Sequence, residues 1–272
     1  MKTEIVQGSI QAISPLHHGS DESTGSRSTL RRMKYLVDGK AIEFPVISGN
    51  SIRGILRRLI MKDMLERLDY ELTSLKTYHM LFAGGTLESV SSEAGNINLG
   101  LRKQMRDSLP ALSLFGSAIG NQMIEGKMKC SYALPLCNEL VDYTGYYPTP
   151  PISIYDQLTD DYSTRRDDLH GERAEGDNAH QMIVNFEVFT PGTMFYHKFV
   201  MMDCTDIEMS VLGHVIKLWE SRPYIGGKSS IGLGEVYLKY IDSPSPSEYL
   251  DFIKSNKELM ITTIQSIEEL LK

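Results

Sequence analysis

The sequence predicts an α+β fold built on a ferredoxin-like β-α-β-β-α-β order with two insertions. Three observations carry that reading. An alternating strand over residues 4–13 is followed by a helix whose apolar residues recur every 3.6 positions from Ile52 to Leu68. A second strand, helix and strand follow late in the chain, over 194–202, 207–220 and 235–241. Between these halves the stretch 142–181 has no periodicity, as a long insertion in a compact domain would read.

Each element follows from local pattern. Val6, Ile10 and Ala12 share one parity, and Ser14-Pro15 ends the strand. Residues 17–27 are too polar to pack, so they read as a mobile or ligand-facing loop. Residues 33–47 read as a hairpin turning at Asp38-Gly39. Ile52, Ile55, Leu56, Leu59, Ile60, Met64 and Leu68 then line one helix face, with Arg53, Arg57, Arg58 and Lys62 largely on the other and Asn50 or Ser51 as the N-cap. Residues 71–108 are mixed, Leu109 to Gly116 is a compact apolar segment, and 128–134 reads as a strand. Tyr146-Tyr147-Pro148-Thr149-Pro150-Pro151 excludes a helix interior. Order returns at Met182 to Phe189, and a glycine-rich loop over 225–234 feeds the last strand. Residues 247–271 form an amphipathic helix or helix pair.

Composition sets the class. With 272 residues, 41% hydrophobic and 23% charged, the chain can bury a core without staples and is not a disordered tail. It has no apolar run of spanning length and no apolar leader pattern, so a cytoplasmic protein with no membrane partner is expected. Cys130, Cys137 and Cys204 lack metal-site spacing and read as buried thiols. Net charge is −7, which counts against a polyanion partner. The layout says otherwise: residues 27–76 hold 11 basic and 6 acidic residues, a net +5. The rest holds 17 and 29, a net −12. Attraction follows the local field, so a basic sector suffices for nucleic acid.

Four constellations could carry chemistry. Ser48-Gly49-Asn50-Ser51-Ile52-Arg53-Gly54 places glycine and free amides at a helix start, with Arg53 and Arg57 one turn apart. It reads either as a phosphate site or as a capped surface helix. Gly226-Gly227-Lys228-Ser229, continuing to Gly234, makes a loop of amides around a lysine, suited to phosphates or simply a turn. It is not a P-loop, because Arg222 stands where that pattern needs glycine. His17, His18, Asp21 and Glu22 could bind a metal or supply acid–base groups for RNA cleavage, but they lack a helical frame. In the insertion, Tyr146, Tyr147, Tyr155 and Tyr162 interleave with Arg165, Arg166 and Arg173 among many acids, fitting base stacking or a protein contact equally. No Walker, nucleophile-elbow or Cys/His signature occurs, so no cofactor is expected.

Taken together, these segments resemble the RAMP superfamily of CRISPR proteins. Ile47 to Arg57 resembles its serine- and glycine-rich helix start. Leu114-Phe115-Gly116 is similar to its downstream turn, and Phe189-Thr190-Pro191-Gly192-Thr193-Met194-Phe195 to its strand entry. Ile225 to Val236 is similar to its glycine loop. The order and spacing resemble most the backbone (Cas-seven) subunit. The His17 to Glu22 loop and the length favour type IV, with type III and type I-D as neighbours.

The resemblance implies one domain over 1–272: a modified RRM-like palm, a finger insertion at 71–108, a thumb insertion at 142–181 and a C-terminal helical segment at 247–271. Copies would stack head to tail along CRISPR guide RNA, with target nucleic acid and other effector subunits as further partners. Carried over by position, Ser48, Gly49, Asn50, Ser51, Arg53 and Arg57 would hold guide phosphates beside Gly226, Gly227, Lys228 and Ser229. Arg165 and Arg166 would act from the thumb. Type III relatives cleave target RNA with an aspartate after the first strand. Here that stretch is Gly25 to Arg32 and has no carboxylate. The expectation is therefore a non-catalytic subunit, with Arg27, Arg31 and Arg32 adding nucleic-acid contact. A metal-dependent endoribonuclease of a type III-like complex, using residues 17–22, is the alternative.

Overall fold

A computed structural model describes residues 2–24, 27–85, 98–120, 122–166 and 181–271; the side chains of 21–24, 165, 166, 181 and 182 lie outside that description. The chain opens with β1 (Thr3–Ala12), β2 (Gly19–Thr24), β3 (Arg27–Leu30), β4 (Arg32–Val37) and β5 (Lys40–Pro45). Helices α1 (Gly49–Leu68), α2 (Leu75–Ala83), α3 (Leu99–Ser108) and α4 (Pro110–Phe115) follow. Next come β6 (Ser117–Ile119), β7 (Gln122–Ile124), β8 (Met128–Cys130), β9 (Leu134–Pro135) and α5 (Val141–Thr144). The chain ends with β10 (Leu158–Arg166), β11 (Gln181–Phe189), β12 (Met194–Met202), α6 (Asp206–Ser221), β13 (Val236–Tyr240), α7 (Ser247–Ser255) and α8 (Lys257–Leu270).

The central sheet runs β13-β1-β12-β8, with β9 also on β12 and every pairing antiparallel. Alternation decides which face is which. Val6, Ile10 and Ala12 on β1 and Phe195 and Phe199 on β12 are buried, while their neighbours in sequence are not. That inner face shares one core with Ile52, Leu56 and Ile60 of α1 and with Val211, Val215 and Trp219 of α6. The predicted hairpin is present, with β4 and β5 joined through Asp38 and Gly39 at positive φ. The C-terminal segment is a helix pair. Its Glu268 accepts from Tyr70 Oη and the Thr73 N–H, tying α8 to the exit of α1.

Two readings change. The stretch 17–27 is not a loop throughout: β2 and β3 pair there, and β3 joins β11 in parallel to give a second sheet, β10-β11-β3-β2. The aperiodic stretch 142–181 contains a regular strand, β10, paired with β11 from Leu158–Phe189 to Arg166–Gln181. Thr159, Asp160, Tyr162 and Thr164 are exposed and Asp161 and Ser163 only half-buried, so neither face of this strand has the apolar residues that make a period visible. The thiols also differ from expectation: Cys137 is buried, whereas Cys130 and Cys204 are half-buried.

Candidate functional site

At the start of α1 the N-cap is Ser48, two or three residues before the predicted cap at Asn50 or Ser51, and its Oγ accepts from the Ser51 N–H at 3.2 Å. Ser48 is buried, and its own N–H donates to His18 Nε2 at 3.2 Å. The need for glycine at 49 comes from inside the protein. A Cβ there would overlap the Cys130 carbonyl oxygen and lie 2.5 Å from that of Ser131, because the helix start presses onto the β8 strand. Asn50 is exposed and Ser51 half-buried, so the polar rim of this helix start faces outward.

Arg57 belongs to the buried face of α1, only 4% exposed. Its guanidinium donates to the carbonyls of Met80, Leu81, Phe115 and Gly116, joining α1 to the end of α2 and to the turn after α4. Arg53, one turn earlier and half-buried, donates to the same Phe115 carbonyl. Burial lowers both arginine pKa values, that of Arg57 to about 10 with Arg53 adding repulsion, so both remain cations at neutral pH. With Asn50, Gly84 and Lys129 they line an open cleft of about 760 Å³. Cys130 also faces this cleft, beside His197 Nε2 at 3.3 Å. Burial raises the Cys130 thiol to about 12 and lowers His197 to about 3, so the pair holds a neutral thiol and not a nucleophile.

The glycine loop reaches the helix start through His17 and His18. Gly227 N–H donates to the His17 carbonyl at 3.0 Å, on the residue before the one that accepts from Ser48. At Gly226 the close approach is again internal, since a Cβ would overlap that same carbonyl. Gly226, Gly227 and Ser229 are exposed, and a Cβ at Gly227 would meet nothing within 4 Å. Lys228 adopts the left-handed backbone, with Nζ 4.6 Å from the Phe186 ring centroid on β11. Two motifs about 175 residues apart are thus brought onto one dipeptide, although the glycine loop does not line the cleft.

His17 and His18 are buried and held by the fold, in contrast to their predicted place in a mobile loop. His17 Nδ1 donates to the Glu187 carbonyl at 2.7 Å, and its Nε2 accepts from the Ser28 hydroxyl at 3.2 Å. Asp21 and Glu22 lie among the residues whose side chains are not described. Among the described residues no three His, Cys, Asp or Glu side chains converge as a metal site.

The basic sector is partly consumed internally. Arg32 pairs with Glu187 at 2.5 Å and Arg27 with Asp160 at 2.6 Å, both partners on the β10–β11 hairpin. Burial opposes ionisation of Glu187, but Arg32 and the Leu30 N–H outweigh it and hold the carboxyl below its ordinary range. Arg31, Lys40 and Arg58 make no ion pair among the described residues. Arg165 and Arg166 end β10 by their backbones, and their side chains lie outside the described residues. Sequence reading missed Glu187. Its signal was a lone carboxylate between the apolar residues Phe186 and Val188, the mark of a buried pair in a strand.

The pattern of the RAMP superfamily matches residues 9–237. A solved structure titled "Type IV-B CRISPR Complex" contains a chain similar to this one, with a TM-score of 0.67 and 21% sequence identity over 88% of this chain and 91% of that chain. No curated protein matches the sequence. Among the described residues no helix is long and apolar enough to cross a membrane.

Proposed function

The chain belongs to the RAMP superfamily, and on that premise we propose that it is a non-catalytic RNA-binding backbone subunit of a CRISPR effector complex, most like type IV. The convergence of the α1 start and the glycine loop on His17–His18 carries this reading, because it aligns two stretches of exposed backbone and a lysine along one path. Guide phosphates would run past Asn50, Ser51 and Arg53, then Gly226, Gly227, Lys228 and Ser229, with Arg31 beside them. Ser48, Gly49 and Arg57 shape this path from beneath. The β13-β1-β12-β8 order with α1 and α6 on its inner face supports a ferredoxin-like palm. In that frame the β10–β11 hairpin is the thumb, and α2 and α3 belong to the finger. Copies would stack head to tail on the guide in the cytoplasm, present it to target nucleic acid and meet other effector subunits at the ends.

A metal-dependent endoribonuclease would need acid–base groups at 17–22, yet both imidazoles there spend ring nitrogens on the backbone and on Ser28. That commitment favours the non-catalytic reading. The test is the double substitution Arg53→Glu with Lys228→Glu. The expected outcome is a folded protein that no longer co-purifies with guide RNA. Retention of RNA by that variant overturns the placement of the path.

A further inference from the structure

The outward face of the central sheet carries a different chemistry. On it the register places Ser9 between Lys239 on β13 and Tyr196 on β12. Gln11 lies between Tyr237 and Met194, and Gln7 opposite Lys198. Tyr237 is 59% exposed and Ile241 51%. The outward positions of β1, β12 and β13 hold two lysines and no carboxylate, in a chain whose net charge is −7. Lys198 and Lys239 make no ion pair among the described residues.

A recess opens in this face. Tyr196 and Tyr146 stand with ring centroids 5.5 Å apart and, with Lys239, line a pocket of about 170 Å³. Through Leu136 and Tyr146 it adjoins a second cavity of about 510 Å³ walled by Tyr147, Pro150 and Gln157. Gln157 is 97% buried. Its Nε2 donates to the Leu136 carbonyl at 2.9 Å, while its Oε1 has no hydrogen-bond partner. Aromatic faces, unpaired cations and an orphaned acceptor without a competing acid match the parts of a nucleotide: a ring to stack, a phosphate to neutralise and a base-edge N–H to receive.

We propose that the outward sheet face is a second single-stranded nucleic-acid site, separate from the α1 and glycine-loop path. A base stacks on Tyr196 and Tyr146, and the flanking phosphates meet Lys239 and Lys198. The charge of the face selects a polyanion over an apolar protein partner, since burying two unpaired lysines against apolar surface would be costly.

The test uses the full chain carrying Arg53→Glu and Lys228→Glu, so that the guide path is disabled. Binding of a fluorescein-labelled single-stranded 12-mer of mixed sequence, as RNA and as DNA, is followed by anisotropy. Residual binding is expected. Adding Tyr196→Ala should weaken it about 5- to 100-fold, and Tyr196→Phe should leave it unchanged, because the ring and not the hydroxyl stacks. Lys198→Glu with Lys239→Glu, one position half-buried and the other exposed and both on the outward face away from the core, should lower the salt dependence of binding by about one to two phosphates. Unchanged affinity in both the alanine and the lysine variants overturns the proposal. So does a result in which they alter only sedimentation, which would assign the face to a second copy of the chain. If the guide path is misplaced, the starting variant keeps its co-purified RNA while the Tyr196 and lysine effects are still read on the added probe.

Discussion

Arg57→Met removes a guanidinium that donates to the carbonyls of Met80, Leu81, Phe115 and Gly116 at 3.4, 3.1, 2.8 and 2.5 Å. Methionine keeps the stem's apolar contacts, so the loss is polar. The Phe115 carbonyl retains Arg53 as a donor, and the Met80 contact is at the limit of bonding length. The Leu81 and Gly116 carbonyls each lose a charged donor, worth about 1.5–3 kcal/mol apiece. Part of that is returned because a buried cation no longer has to be desolvated. A net loss of about 3 kcal/mol follows. With a denaturant slope near 3 kcal/mol per molar, the urea midpoint should fall by about 1 M. Arg58→Met, one residue on and exposed, should change stability by less than about 0.5 kcal/mol. Urea unfolding followed by tryptophan fluorescence reads both, since Trp219 is the only tryptophan and is fully buried. Equal midpoints for the two variants would refute the structural role of Arg57 and return it to the surface as a direct phosphate contact.

The glycines separate in the same way. Gly49→Ala forces a Cβ onto the carbonyls of Cys130 and Ser131 and should destabilise the fold by about 1–3 kcal/mol, whereas Gly227→Ala enters open space and should melt with the wild type. Thermal denaturation distinguishes them. The carboxyl of Glu187 is held below its ordinary range, so its stabilising contribution is full at neutral pH and is lost as pH falls through the folded-state value. The melting temperature of the wild type should therefore drop more steeply between about pH 5 and pH 3 than that of Glu187→Gln. His18→Ala strands the buried Ser48 N–H and should cost about 1–3 kcal/mol. Neither it nor the wild type should cleave complementary RNA in magnesium, and regular cleavage lost on substitution would reinstate the endonuclease reading.

Much of the central sheet and its two helices was legible because their faces are unequal. β1, α1 and α6 each bury one side against the same core, so period 2 or 3.6 is written into their residues. The hairpin at Asp38-Gly39 was legible because only a few residues tolerate its backbone. β10 was hidden because none of its described side chains is buried, and β2 because Gly19–Thr24 holds no apolar residue whose spacing could mark a strand. The site was legible as motifs and not as geometry. Nothing in Arg53 or Arg57 alone indicates that both donate to one carbonyl 58 or more residues away. Likewise the +5 of residues 27–76 overstated the available charge, because Arg27 and Arg32 are neutralised by acids more than 130 positions later.

Assembly of this chain on RNA is read from the 260/280 nm absorbance ratio of protein co-expressed with a guide RNA, measured together with particle mass. The expected product is an RNA-rich particle of many subunits that collapses to single chains when the RNA is digested. A protein-only ratio at the mass of one 30.6 kDa chain, with the guide present in the cell, would contradict that assembly.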